Sequence, residues 1–347
     1  MQSIKKHHNA HHGVVASAYL KAFRRKLLLL TLPLGGILLV AALAVMMGSY
    51  DVPVKSVFRA LTGNADAATT VVIANIRLPR VVAAIVCGWG LSLSGLSLQS
   101  LLKNPLGSPS TLGISQGAAL GAAAAIVVFG TKTFSVTLFA FSGALAATII
   151  VLILSGLKRL SSEAVILAGV ALSSLFVSAT ILIQYLATET ELAMVVFWTF
   201  GDVARSSWTE IGLLTGTVFL ASIYLIWIRW DLNALTSGEE AAKGLGVNVK
   251  RIRFIGTMVA ALVSAMATAF HGVIAFIGLL APHMARRLVG DDHRLLIPFS
   301  SVLGALLLLM ADNIGRIVMG SGVLPVGVIT SFLGAPMFLY LLIRGYR

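Results

Sequence analysis

Residues 134–156 read FSVTLFAFSGALAATIIVLILSG, 23 consecutive positions without a charged side chain. A bilayer core about 30 Å thick is crossed by about 20 apolar helical residues, so this stretch predicts a membrane-spanning helix. Working outward, comparable apolar stretches occupy 27–47, 80–102 and 111–130 before it, and 163–186, 208–229, 254–270, 273–289, 295–314 and 326–343 after it. Composition agrees: the 347 residues are 58% hydrophobic and 11% charged, with mean hydropathy +0.95, whereas soluble chains carry about 25% charged residues. The prediction is an all-α polytopic membrane protein with about ten transmembrane helices, a tail over 1–26 and one transmembrane domain over 27–347.

The net charge of +13 would suit nucleic acid in a soluble chain, but topology accounts for it here. With ten spans both termini share a side. Placing them in the cytoplasm assigns 19 of the 26 Lys and Arg to that side, from segments 1–26, 103, 158–159, 229–253, 286–294 and 344–347. Seven are left for the other face: Lys55, Arg59, Arg77, Arg80, Lys132, Arg205 and Arg316. Excess cytoplasmic Lys and Arg is the expected bias, so the sequence predicts cytoplasmic termini and no nucleic-acid partner. The apolar run after Lys26 is longer than a secretory signal core and reads as an uncleaved first span. His7, His8, His11 and His12 precede it in a polar tail to which no function is assigned.

Several motifs carry structure. Gly113, Gly117 and Gly121 recur every four residues, and Ala84, Gly88, Ser92 and Gly95 share a face, which allows close helix packing in lipid. Asn104-Pro105-Leu106-Gly107-Ser108-Pro109 cannot be regular helix. It is either a surface turn or irregular backbone sheltered by protein at membrane depth. Pro282 and Pro336 fall inside predicted spans and are candidate kinks. The segment 48–79 reads as a short helical excursion between breaks. Asp312 and Arg316 have the four-residue spacing of a helical ion pair. Ser237-Gly238-Glu239-Glu240 has the form of a capping box that starts a short helix, which Gly244 and Gly246 would stop, within a coupling loop over 230–253.

Catalytic signatures do not occur. The sequence has no phosphate-cradling G-x-x-x-x-G-K-[ST] and no G-x-S-x-G or H-E-x-x-H, and its one cysteine, Cys87, has no intrachain disulfide partner. The reading is a non-enzyme that binds no metal or cofactor of its own.

RLPR at 77–80, NPLGSPSTLGISQGA at 104–118, SGEEAAKGLGV at 237–247, GVIAFIGLLAPHMARRLVGDDHR at 272–294 and LPVGVITSFLGAPMFLYLL at 324–342 together resemble the FecCD-type permeases. These are the membrane subunits of ABC importers for iron–siderophore complexes, haem and vitamin B12. The resemblance implies a permease domain in a bacterial or archaeal cytoplasmic membrane, paired with a second permease copy. It implies two cytoplasmic ATPase subunits, which bind the ATP and Mg, and an external substrate-binding protein. Ser237, Glu239, Glu240, Gly244 and Gly246 become the ATPase-coupling candidates. Arg59 and Arg316, with Arg77 and Arg80, become candidates for docking the binding protein, although Arg77 and Arg80 would also serve as hydrogen-bonded anchors of their span. Ser161 and Ser162 match the gate turn, and Gln184 is a candidate either for a hydrogen bond to cargo along the path or for a polar contact between helices. An iron chelate is the expected cargo, with a corrinoid as the alternative. An ion-coupled secondary transporter is the competing class, disfavoured because the spans lack a chain of acids.

Overall fold

The computed structural model describes residues 21, 23–46, 59, 66–130, 132–157, 160–318 and 324–343. The histidine-rich stretch, most of the 48–66 segment, Lys158, Arg159, Arg344 and Arg347 lie outside the described residues. Among those described there are helices and connections and no strand.

Thirteen helices follow in order: α1 (Phe23–Met46), α2 (Ala67–Leu101), α3 (Ile114–Phe129), α4 (Thr133–Gly156), α5 (Ser162–Leu186), α6 (Glu189–Thr199), α7 (Trp208–Trp227), α8 (Arg229–Thr236), α9 (Glu239–Gly244), α10 (Val249–His271), α11 (Ile277–Val289), α12 (His293–Val318) and α13 (Val326–Ile343). Each of the ten predicted spans coincides with one of them. Seven are long and apolar enough to cross a membrane: α1, α2, α5, α7, α10, α12 and α4 from Phe134.

α2 is the axis of the bundle. Its most apolar stretch is 83% buried, against 17% for α5 and 11% for α1, although all three are comparably hydrophobic in sequence. The reason lies in its small residues. A Cβ on Gly88 would lie 2.3 Å from the Gly304 carbonyl of α12, and one on Gly95 would lie 1.7 Å from the Gly278 carbonyl of α11. Serines on α2 then hydrogen-bond across these close contacts: Ser92 Oγ donates to Ser300 O at 2.7 Å and Ser94 Oγ to Ala260 O at 2.8 Å. Backbone proximity and interhelical hydrogen bonds hold helices together in lipid, where burial of apolar surface gives little drive. Gly117 and Gly143 make the same close approach between α3 and α4.

Several expectations change. Within the predicted excursion over 48–79, the described residues from 67 on already belong to α2, which Asp66 caps by accepting from Thr69 N at 3.0 Å. The helix then runs on through a widened turn at Val72–Arg77. α6 was not anticipated; Thr188 and Glu191 cap it reciprocally, a T-x-x-E signal legible in the sequence. The span predicted over 273–289 is helical only from 277. Its 13 residues reach about 20 Å, short of the bilayer core, and the preceding segment 272–276 is not helical. That break is sheltered by protein: Asp202 N donates to His271 O at 2.7 Å, and Gly327, at the start of α13, packs on the Val273 and Phe200 carbonyls.

The Asn104–Pro109 run is part surface turn and part sheltered backbone: Pro105 and Leu106 are exposed, while Gly107 and Pro109 are buried. Lys103 turns the chain at φ 48°, Ser108 and Thr111 cap a single tight turn at Pro109–Leu112, and Gly113 enters α3 at φ 74°. Gly169 of α5 lies against the Thr111 carbonyl, leaving no room for a Cβ.

Candidate functional site

The functional candidates gather in three places: the end of the bundle carrying α8 and α9, the opposite end, and the flank of α5.

At the α9 end, α8 and α9 form a short helical knob seated on the core by Leu232, Leu235 and Ala242, all buried. The start of α9 differs from the expected capping box. Ser237 closes α8, and the residue preceding α9 is Gly238 at φ 120°, with no side-chain cap. That backbone angle suits glycine alone, so Gly238 rather than Ser237 sets the angle between the two helices. Glu239 pairs with Arg253 and Glu240 with Lys243, the latter at 2.7 Å. This contact raises the Lys243 pKa, chiefly through its hydrogen bond to Glu240. The stop is as expected: α9 ends at Gly244, and Gly246 turns at φ 85° while Val247 N donates to Ala242 O.

Two buried side chains tie the knob to the spans. His293, 1% exposed at the start of α12, meets Asn233 of α8 and Ser100 of α2, each at 2.8 Å. Asn233 directs its amide N–H to Asp292, so its Oδ1 faces the imidazole. His293 Nδ1–H therefore donates to Asn233 and Nε2 accepts from the Ser100 hydroxyl. Asp292, in turn, is held at a pKa of about 2, first by its hydrogen bond from Arg294. The second tie is Arg253, 3% exposed, whose guanidinium reaches Leu101 O at 3.1 Å, Leu160 O at 2.6 Å and the Glu239 carboxylate. Both residues lie in stretches that had been read as basic loop and motif. Their burial has no signature in a positive-charge count.

Beside Arg253 lies the turn containing the gate candidates. Leu160 sits at φ 56°, Ser161 caps α5 by accepting from Ala164 N at 3.2 Å, and Ser162 opens the helix. Neither serine is buried.

At the opposite end the arginines behave differently from one another. Arg77 is 4% exposed and donates to Val45 O at 2.7 Å, anchoring α1 to α2. Arg80 grips Asp312 of α12 with three contacts of 2.7–3.0 Å; the side chains are 11% and 0% exposed. Both are directed inward and hydrogen-bonded to neighbouring helices, the geometry of anchors of their span. The Asp312 carboxylate is thus taken by Arg80, 232 positions away, in place of the i,i+4 pair expected with Arg316. Arg316 is partly exposed and donates to Ala44 O at 2.9 Å. Arg59 is exposed.

On the flank, α5 presents Leu167, Leu175, Ile181 and Tyr185, and α13 presents Phe332 and Leu339, as exposed apolar surface. Partly exposed Gln184 faces a cavity of about 270 Å³ together with Thr180, Ser115, Gln116 and Thr199. This wall offers amide and hydroxyl groups and no charge. Among the described residues no group of three or more His, Cys, Asp or Glu could hold a metal ion.

A densely packed helical membrane domain with a short helical knob at one end, and a flank cavity lined by apolar, amide and hydroxyl side chains, defines a polytopic membrane subunit. Residues 36–344 match the FecCD transport family, and the chain belongs to that family, the permease components of metal-chelate type ABC importers. It is 48% identical to an ABC transporter permease protein of Methanocaldococcus jannaschii over 316 residues, 88% of this chain and 90% of that one. It is 35% identical to the haemin transport permease of Yersinia pestis, over 89% of this chain and 95% of that one. A solved metal-chelate type ABC transporter in an inward-facing conformation superposes with a TM-score of 0.82 at 31% identity, covering 91% of this chain and 99% of that one.

Proposed function

We propose that the chain is the permease subunit of an ATP-driven importer of an iron chelate, a siderophore complex or haem, working by alternating access. The observation that carries the reading is the α8–α9 knob of a FecCD chain: a short exposed helix held to the spans by buried side chains is suited to exchange force with a docked protein. Two ATPase subunits would receive α9 through Glu240 and the outer faces of Gly244 and Gly246. ATP stays on those subunits, and this chain performs no hydrolysis. A second copy would cover the apolar flank of α5 and α13 and enclose a path lined by Gln184, with Ser161 and Ser162 at its cytoplasmic gate. Arg59 and Arg316, at the far end from α9, would meet acidic groups of an external binding protein. The termini would then be cytoplasmic, in a bacterial or archaeal inner membrane.

Relatives bear names for ferric citrate, haemin, vitamin B12 and molybdate import, so a corrinoid is the second reading. The uncharged wall around Gln184 favours a bulky chelate over a bare, strongly hydrated ion, whose lost hydration shell it would not replace. The test is affinity purification of the tagged chain from its native membrane with identification of co-purifying subunits. Reconstituted complexes would then be assayed for uptake of ferric siderophore, haemin and cobalamin. A nucleotide-binding subunit at about 1:1 with ATP-dependent iron uptake is expected. ATP-dependent uptake of cobalamin alone would establish the corrinoid reading, and a chain that recruits no ATPase would overturn both.

A further inference from the structure

We propose that Arg253 is the joint that transmits movement of α9 to the gate turn, so that one buried guanidinium converts ATPase docking into motion of the α5 terminus. The inference rests on the reading of α9 as the ATPase contact and adds to it a route and a residue.

The geometry is a three-way junction. Nε of Arg253 holds the Leu101 carbonyl, the last residue of α2; one terminal nitrogen holds the Leu160 carbonyl; the other holds Glu239, the first residue of α9. The three partners lie 152, 93 and 14 positions away in sequence and belong to three elements. α2 is the most buried of the long helices and supplies a fixed point. Arginine suits such a joint because its donors form a rigid planar fork. When Glu239 moves with α9, the fork cannot follow without shifting its bond to Leu160.

The Leu160 end is poised to respond. A leucine at φ 56° occupies a left-handed region that side chains with a Cβ rarely adopt and that persists only while its surroundings impose it. Its N–H is held by Ser155 O at 2.9 Å and its carbonyl by Arg253. Releasing the carbonyl removes one of those two restraints. The next residue, Ser161, caps α5, so relaxation of Leu160 reorients the start of the helix that carries Gln184. Among the described residues, the ion pair that leaves α9 is that of Glu239 with Arg253; the other, Glu240 with Lys243, is internal to the helix.

The experiment uses the purified complex with its ATPase subunits. Glu163→Cys, at an exposed position in the first turn of α5, is introduced as a reporter that leaves the Ser161 cap in place; Cys87, the one native cysteine, is buried. Labelling by a water-soluble maleimide is timed without nucleotide and with ATP plus vanadate, beside ATP hydrolysis. In the parent, nucleotide changes the labelling rate. Arg253→Lys keeps the charge and loses the fork. It is expected to retain ATPase binding and hydrolysis while the nucleotide-driven change falls about tenfold, the effect of losing one charge-assisted hydrogen bond. Glu239→Gln, at a half-exposed position that folding tolerates, is expected to fall between the two and serves as the readout if Arg253→Lys does not assemble. A merely structural role would lower the yield of complex and leave the nucleotide response of the folded fraction intact. An unchanged response in a hydrolysing Arg253→Lys complex, or in the Glu239→Gln complex where the first does not assemble, overturns the joint and leaves the permease reading standing. Failure of the parent chain to bind any ATPase overturns both.

Discussion

The Arg80–Asp312 pair gives the sharpest quantitative expectation. It joins the axial helix α2 to α12 by a two-pronged contact in which Asp312 is fully buried and Arg80 nearly so. Removing one member of such a pair strands the other charge and costs about 3–5 kcal/mol, whereas a surface pair is worth about 0–1 kcal/mol. The two single variants differ because Arg316, one turn further along α12, adds its positive charge beside the same carboxylate. Asp312→Asn leaves two arginines facing a neutral amide and is expected near 5 kcal/mol, at the top of that approximate range. Arg80→Gln leaves the carboxylate with Arg316 in reach and is expected near its lower end, about 3 kcal/mol. The double variant substitutes a neutral hydrogen-bonded pair for the ionic one and should cost less than Asp312→Asn alone. Equilibrium unfolding in mixed detergent micelles, followed by tryptophan fluorescence, reads these differences directly. Losses that simply add in the double variant, or single losses below about 1 kcal/mol, would refute the view of this contact as a buried, coupled pair.

Two further outcomes follow from local geometry. Gly95→Ala, whose Cβ would meet the Gly278 carbonyl at 1.7 Å, should destabilise by about 1–3 kcal/mol or more, while Gly212→Ala on the open face of α7 should be neutral or stabilise by up to about 1 kcal/mol; unfolding in the same micelles ranks the two. Because the Asp292 carboxyl sits at about 2 in the folded chain and near 3.8 when unfolded, its contribution is fully present above about pH 5 and is lost as pH falls through about 2. Asp292→Asn should flatten the decline in stability between about pH 5 and pH 3, measured as the shift of the unfolding midpoint.

Much of the fold was legible because lipid simplifies the problem. Ten apolar stretches of bilayer length coincide with helices, and the Gly88–Gly95 and Gly113–Gly121 series mark helix contacts, since small residues are what close packing requires. The FecCD motifs carried the family. Local chemistry misled where it had two solutions: Ser237 has the spacing of a cap, yet Gly238 at φ 120° starts α9.

The sequence by itself determined a polytopic helical membrane protein, its family, and the segment that forms the knob, because span length, charge bias and turn residues are local properties. Tertiary structure alone decided which apolar helix is central, that Arg80 rather than Arg316 grips Asp312, and that Arg253 joins Leu101, Leu160 and Glu239. Arg80 meets Asp312 across 232 positions, and Arg253 meets Leu101 and Leu160 across 152 and 93, while Glu239 is 14 away. An arginine counted as loop charge becomes a buried junction only when the folded chain brings two distant carbonyls to the fork that also holds Glu239, and nothing in its own neighbourhood of sequence encodes those carbonyls.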